Sequence, residues 1–344
     1  MHKWLLATLS GLVLGLGSCG NNPSQTTVAT DPAPKLKVVT TFLPITQFTQ
    51  AVAGDRTQVM QLLPTAIGPH DYQAKPQDAQ KLANANVLVE NGLEMEHFLD
   101  DLVKNAANPN LKTIDSSQGI AVIANDLGET HATEPKGQAE EHEHGTENPH
   151  IWLDPKRAIQ QVENIRDGLI AADPDGKETY RANAANYIAK LKDLDAAFVK
   201  ALKPFAGKTF VTYHDFAPYF AQSYKLKAEF LVGIPEENAS PEDVQRVIQA
   251  AQQSNLKTLL TEPQAVGNPF TALAQDLNVQ ISEFDPLETA GTGGGEPDYY
   301  LRVMRQNVEN LKSAFSGPRK TSFLRIPAQF NRMAFTAQPV KLGF

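Results

Sequence analysis

After Gly176 the chain runs to Leu202 without a Gly or Pro. Apolar residues recur along it at helical spacing: Tyr180, Ala184, Tyr187, Ile188, Leu191, Leu194, Phe198 and Leu202. At the α-helical rise this stretch predicts a rod of about 40 Å, the width of a small domain. Asp173-Pro174 just before it reads as a stop and restart. A rod of that length in mid-chain demands a globular half on each side. It acts as a stiff backbone between them rather than a hinge.

Both halves alternate short β-branched runs with amphipathic ones, the pattern of α/β architecture. In the first, L-K-V-V-T-T-F predicts a strand and I-T-Q-F-T-Q-A-V-A a helix closed by Gly54. V-M-Q-L-L is a strand leading to His70, Pro76 opens a helix, and N-V-L-V-E-N is a third strand. Glu94 to Lys104 predicts a helix with Leu99, Leu102 and Val103 inward. Asp154-Pro155 is an N-cap followed by a first-turn proline, starting a helix to Ile170. In the second half the strands are T-F-V-T-Y, A-E-F-L-V, T-L-L-T and V-Q-I-S-E-F. Helices begin near Phe216, Pro241 and Pro269, and Tyr299 to Phe315 is the last. The expected organisation is an α/β lobe at 36–172, a linking helix at 173–203, a second α/β lobe at 204–316 and a tail at 317–344.

The N-terminus is a targeting segment. Lys3 precedes an apolar run from Leu5 to Leu16, too short for the ~20 residues of a transmembrane helix. The run ends in L-G-S-C, with Cys19 the only cysteine of the chain. It resembles a bacterial lipoprotein signal, so residues 1–19 read as signal and Cys19 as the lipidated residue. An ordinary cleaved signal with an incidental cysteine is the alternative. With Cys19 lipidated no thiol remains for a disulfide or a thiolate metal site. Residues 20–35, rich in Asn, Ser, Thr, Gln and Pro, read as a disordered tether. Beyond it, 41% hydrophobic and 20% charged residues suffice for packed lobes. A formal net charge of −8 argues against a nucleic-acid surface and suits a cation-handling protein without establishing one.

Three histidines follow strand-like runs: His70, His150 and His214. Asp285 repeats the pattern after N-V-Q-I-S-E-F. Ligands of open α/β sheets bind beyond the carboxyl ends of strands, where groups distant in sequence converge. Three neutral imidazoles and one carboxylate form a four-coordinate set suited to zinc. Pro69 and Pro149 hold the backbone before two of the histidines extended. Asp71 and Asp215 are candidate acceptors for an imidazole's second N–H, or else helix caps and solvated loop carboxylates. Tyr72, Trp152 and Tyr213 beside these positions line a cleft or belong to the core.

At this point the chain resembles a family, the zinc- and manganese-binding solute-binding lipoproteins of bacterial ABC importers, also called metal-binding adhesins. The matching runs include T-T-F-L-P-I-T-Q-F-T-Q-A-V-A-G, G-P-H-D-Y, V-E-N-G-L-E-M-E, N-P-H-I-W-L-D-P and V-T-Y-H-D-F-A-P-Y-F-A. L-L-T-E-P-Q, E-F-D-P-L and Y-Y-L-R-V-M-R-Q-N-V-E-N-L follow in order, so that the likeness covers the body from Lys37 to Phe315. The resemblance implies two α/β lobes joined by one long rigid helix, with the metal in the interlobe cleft. His70 and His150 come from the first lobe, His214 and Asp285 from the second. It implies a monomeric protein, exported and lipid-anchored to a bacterial membrane at the periplasm or outer surface. There it binds Zn²⁺ and delivers it to an ABC permease, with no nucleic-acid partner. Manganese members of the family usually place a carboxylate where this chain has His214, which makes Mn²⁺ the alternative and Zn²⁺ the expectation. Zinc members also carry a His- and acid-rich loop before the second ligand. Residues 129–147, with His131, His142 and His144, are a short version expected to collect metal weakly.

A different class, an exported zinc metallohydrolase, needs an open coordination position and a general base. No H-E-x-x-H is present, and a ligating Asp285 closes the site. A surface adhesin has no positive sign in the residues. G-T-G-G-G at Gly291 to Gly295 lacks the Lys-Ser/Thr of a phosphate loop and reads as a connector. The expectation is a binding protein and not an enzyme.

Overall fold

Two four-stranded parallel sheets carry the fold in the computed structural model, which describes residues 35–125, 146–233, 239–263, 269–291 and 293–317. Cys19, the tether up to residue 34, His131, His142, His144 and the tail from 318 lie outside the described residues.

The first lobe contains β1 (Leu36–Thr40), α1 (Leu43–Ala53), β2 (Thr57–Gln61), α2 (Pro76–Ala83), β3 (Val87–Glu90), α3 (Leu99–Ala106) and β4 (Lys112–Asp115), in sheet order β2-β1-β3-β4. Two helices follow, α4 (Pro155–Ala172) and α5 (Lys177–Leu202). The second lobe contains β5 (Thr209–His214), α6 (Pro218–Ser223), β6 (Lys227–Val232), α7 (Pro241–Ser254), β7 (Thr258–Thr261), α8 (Pro269–Leu277) and β8 (Gln280–Glu283), in order β6-β5-β7-β8. The last helix is α9 (Tyr299–Ser316). Every strand pair is parallel, so helices cover both faces and the inner strands are apolar on both: Val87, Leu88 and Val89 of β3 are all buried.

α5 is the predicted rod. Its 26 residues bury the eight apolar positions read from the sequence, Tyr180 through Leu202. It packs on α1, α4 and α9. The core it organises runs without a break from Val38 and Phe48 through Tyr187 and Leu191 to Phe220, Phe284 and Met304. The two lobes are therefore packed on one shared hydrophobic body. Asp154, fully buried, adds a polar tie. It accepts from the Lys156 N–H as N-cap of α4, pairs with Arg157 at 2.6 Å, and accepts from Ser223 of α6 at 2.8 Å.

Two elements differ from the sequence reading. The helix expected from Glu94 begins only at Leu99, because Leu93 and Glu94 adopt φ of 58° and 56° and fold the segment into turns. Val103 is half-buried, and Leu102 and Ala106 hold the inner face. β4 was not foreseen: K-T-I-D has only Ile114 buried, and an edge strand of four residues carries almost no periodic signal.

Ile114 sets a packing limit on α4. A Cβ added at Gly168 meets its Cδ1 at 2.5 Å and its Cγ1 at 2.6 Å. Gly168→Ala is expected to lower stability by about 1–3 kcal/mol, reversing the usual gain of alanine over glycine in a helix of up to ~1 kcal/mol. Urea unfolding of the two proteins measures the sign.

Candidate metal centre

The carboxyl ends of β2, β5 and β8 and the loops beyond them, together with a segment that follows an isolated antiparallel bridge, bring four side chains to one point. After β2, Leu62 and Leu63 donate to the Thr40 and Thr41 carbonyls and carry the chain past the sheet end toward Pro69 and His70. His150 follows a short antiparallel ladder in which Ala124 bridges Glu147 and the Asn148 N–H donates to Ile123. The Pro149 carbonyl before it accepts from Asn91 Nδ2 at 3.0 Å, which fixes the loop to the end of β3. His214 is the last residue of β5 and pairs in register with Val232. The fourth group is Glu288, in the turn after β8.

The Nε2 atoms of His70, His150 and His214 and Oε1 of Glu288 form a tight cluster. His150 lies 3.3 Å from His70, 3.3 Å from His214 and 3.0 Å from Glu288. Glu288 lies 3.3 Å from His214 and 3.6 Å from His70. A tetrahedron with bonds of about 2.05 Å has edges of about 3.3 Å. These five separations thus stand within about 0.4 Å of the edges that a tetrahedral zinc ion imposes. His150 and His214 are wholly buried, and His70, with 12 % of its side chain exposed, faces the solvent side.

The outer nitrogens fix the rings. Asn148 donates Nδ2 to the Asp215 carbonyl at 2.7 Å, which turns its Oδ1 toward His150 Nδ1 at 3.0 Å. The proton of neutral His150 then sits on Nδ1, leaving the Nε2 lone pair for the centre. His214 Nδ1 stands 2.8 Å from Oε1 of Glu262 and 2.9 Å from Oε2, a buried carboxylate at the end of β7. Asn148 and Glu262 hold the places expected of Asp71 and Asp215. Asp71 is exposed, and Asp215 acts one step back by orienting Asn148. Trp152 packs its ring 5.0 Å from that of His150, while Tyr72 donates to Asp78 and Tyr213 meets Phe270 edge-on.

Burial pushes His150 down to about 3, so it is neutral at physiological pH. Burial also works against a charge on His214, but Glu262 and Glu288 outweigh it and hold the imidazolium well above its ordinary range. Burial likewise opposes ionisation of Glu288, and His214 and His70 outweigh it and keep the carboxyl well below its ordinary range. Without metal, then, a proton on His214 compensates the two carboxylates. A divalent cation on Nε2 replaces it. Zinc binding at pH 7 is expected to release a proton, and affinity to fall as pH falls through the raised His214 value. The sign for folding of the metal-free protein is opposite. The His214 contribution is fully present below its unfolded value near 6.5 and is lost as pH rises through the folded value. Calorimetry in buffers of different ionisation enthalpy counts the proton; a zero count contradicts the charge assignment.

Residues 38–314 match the family described as ZnuA, zinc-uptake complex component A, periplasmic. The chain belongs to that family. The ZnuA-family relatives include the high-affinity zinc uptake system protein ZnuA of Bacillus subtilis, 31% identical over 91% of this chain and 98% of that protein. Among solved structures, the Zn(II)-bound ZnuA-like domain of Streptococcus pneumoniae AdcA superposes with a TM-score of 0.66 at 30% identity, covering 81% of this chain and 98% of that one. AdcAII of the same organism superposes with a TM-score of 0.71 at 25% identity, covering 82% and 100%. The chain spans about half the length of the full AdcA proteins it matches.

Within this ZnuA-family fold the acid that joins the three histidines is not the one expected from the sequence. Asp285 is near the cluster but not in it, and Glu288 takes the position. The physical reason is local. Asp285 Oδ1 accepts from the Leu287 N–H at 2.7 Å, a side-chain turn that spends the carboxylate on its own backbone. Its N–H and carbonyl are both held by the Asn307 amide of α9. The turn so fixed sends the chain back toward the histidines three residues later. The D-P-L-E run contained the residue, but nothing in a strand-end rule selects the second acid over the first. Glu262 is absent from the sequence reading although a strand-end signal marks it, since it directly follows β7.

Proposed function

We propose that this protein captures Zn²⁺ outside the cytoplasmic membrane and hands it to an ABC permease for uptake. The observation that carries this is the convergence of three imidazole Nε2 atoms and one carboxylate oxygen at tetrahedral edge lengths. Family membership and a zinc-bound solved relative support it. Nitrogen-rich, four-coordinate ligation favours zinc over Mn²⁺, which prefers oxygen donors and higher coordination. Glu288 supplies a fourth protein ligand and leaves no position for a reactive water, which favours a binding protein over a metallohydrolase. His70, His150, His214 and Glu288 are the proposed ligands.

The finer reading is part of the proposal. Cys19 carries the lipid, the body works as a monomer, and the lobes comprise 36–172 and 204–316 around the 173–203 linker. His131, His142 and His144 bind metal weakly as a collector. Among the described residues no helix is long and apolar enough to cross a membrane. Metal analysis of protein purified without added metal, then competition between Zn²⁺ and Mn²⁺, tests the reading. One tightly bound zinc, retained against excess manganese, is expected. Manganese preference, or metal-dependent turnover in a hydrolysis screen, contradicts it.

A further inference from the structure

The zinc reading leaves open how Glu288, which belongs by sequence to the second lobe, is held against His150 of the first. The turn that carries it cannot be self-sufficient. Leu287 is fully buried and adopts φ of 65°, a left-handed conformation that costs a leucine energy and persists only where its surroundings impose it. Its own lobe holds the turn at Asp285 through Asn307 and through the Asp285 side chain. Two further bonds come from the first lobe and flank Glu288 on either side. Trp152 Nε1 donates to the Pro286 carbonyl at 2.8 Å, and the Ala290 N–H donates to the Thr65 carbonyl, in the loop that leads to His70, at 2.7 Å.

Trp152 is built for this contact. It sits two residues after His150 in the sequence, is wholly buried, and lies with its ring 5.0 Å from the His150 ring and 5.0 Å from Phe42 in an edge-on contact. Its carbonyl accepts from the Tyr300 hydroxyl of α9 at 2.6 Å, so backbone and side chain are both fixed across the lobe boundary. Tyr300 in turn packs edge-on against Phe48 of α1 at 4.9 Å. An indole N–H has one donor and no acceptor, so the Pro286 carbonyl sets its direction uniquely.

We propose that Trp152 is a positioning residue of the zinc site: its indole N–H, bonded to the Pro286 carbonyl, holds Glu288 in place against His150 across the boundary between the lobes. The proposal rests on the four-ligand zinc reading above. It assigns to the N-P-H-I-W-L-D-P run two functions, a ligand and the clamp for a ligand from the other lobe. The bland alternative is that Trp152 is a core residue whose loss weakens the fold and the site alike.

The two differ in coupling. Zinc affinity is measured by chelator competition for the full chain, Trp152→Phe, Glu288→Ala and the double variant. Trp152→Phe keeps an aromatic ring but removes the donor, and is expected to weaken zinc binding about 10–100-fold, the usual effect of an outer partner of a metal ligand. In the Glu288→Ala background the same change is expected to alter affinity by less than about threefold, because the ligand it positions is gone. An equal loss in both backgrounds, or wild-type affinity in Trp152→Phe, overturns the proposal and leaves the four-ligand reading standing. Wild-type affinity in Glu288→Ala removes the ligand assignment itself and the proposal with it. Should Trp152→Phe not fold, Tyr300→Phe releases the Trp152 carbonyl while keeping the indole. It is expected to give a smaller loss that again vanishes with Glu288→Ala; a loss that persists there overturns the clamp.

Discussion

His150→Ala is expected to reduce zinc affinity by roughly 100-fold or more, the largest single-residue loss in the protein. His150 is the hub of the cluster, with Nε2 within 3.3 Å of both other imidazoles and 3.0 Å from Glu288. Zinc held by four protein ligands commands about 10–16 kcal/mol at neutral pH. An even share of about 3 kcal/mol per ligand corresponds to two decades in dissociation constant. The loss goes further here because His150 is wholly buried between Trp152 and Phe216, so its removal opens a cavity in the packed wall as well as a gap in the ligand set. His70→Ala, at the more exposed edge, should cost less, since solvent can complete the coordination there. Titration against a chromogenic chelator orders the variants. Equal affinity in His150→Ala and the unaltered chain is the outcome that removes the site.

The second large effect separates the two acids of the D-P-L-E turn. Glu288→Ala is expected to cost zinc affinity about as much as loss of a histidine, for the same reason of an incomplete tetrahedron. It also strips His214 of one of the two carboxylates that hold its proton in the metal-free protein. Proton release on zinc binding should therefore shrink in this variant while the affinity falls. Asp285→Asn keeps an oxygen to accept from Leu287 and should leave affinity within about tenfold. The reverse ranking, with Asp285→Asn severe and Glu288→Ala mild, restores the ligand set expected from strand ends alone.

Much of this architecture was legible because it rests on periodicity. The eight buried positions of α5 follow from a 3.6-residue pattern with no Gly or Pro to break it, and tertiary packing had no reason to override them. Two of the histidines were legible through topology: His70 lies in the loop after β2 and His214 closes β5, at the carboxyl ends of parallel strands, whereas His150 follows an isolated antiparallel bridge outside both sheets. What failed was decided by turns and single hydrogen bonds. Leu93 and Glu94 enter left-handed conformations that no propensity assigns to them, and the helix after them starts late. The exchange of Asp285 for Glu288 depends on which backbone N–H a carboxylate captures first. Asn148 and Glu262 escaped for a related reason: the sequence neighbours of a histidine need not be its spatial partners. Asp71 and Asp215 were adjacent in the chain, whereas Glu262 reaches His214 only because β5 and β7 are paired in the sheet.

That zinc is held by three imidazoles and one carboxylate gathered from both lobes is tested most directly by a crystal structure of the zinc-loaded protein, with the ion located by anomalous scattering at the zinc edge. The expected result is one fully occupied ion about 2.0–2.2 Å from Nε2 of His70, His150 and His214 and from an oxygen of Glu288, in tetrahedral arrangement. An ion ligated by Asp285 in place of Glu288, or one lying away from two of the three histidines, contradicts the account.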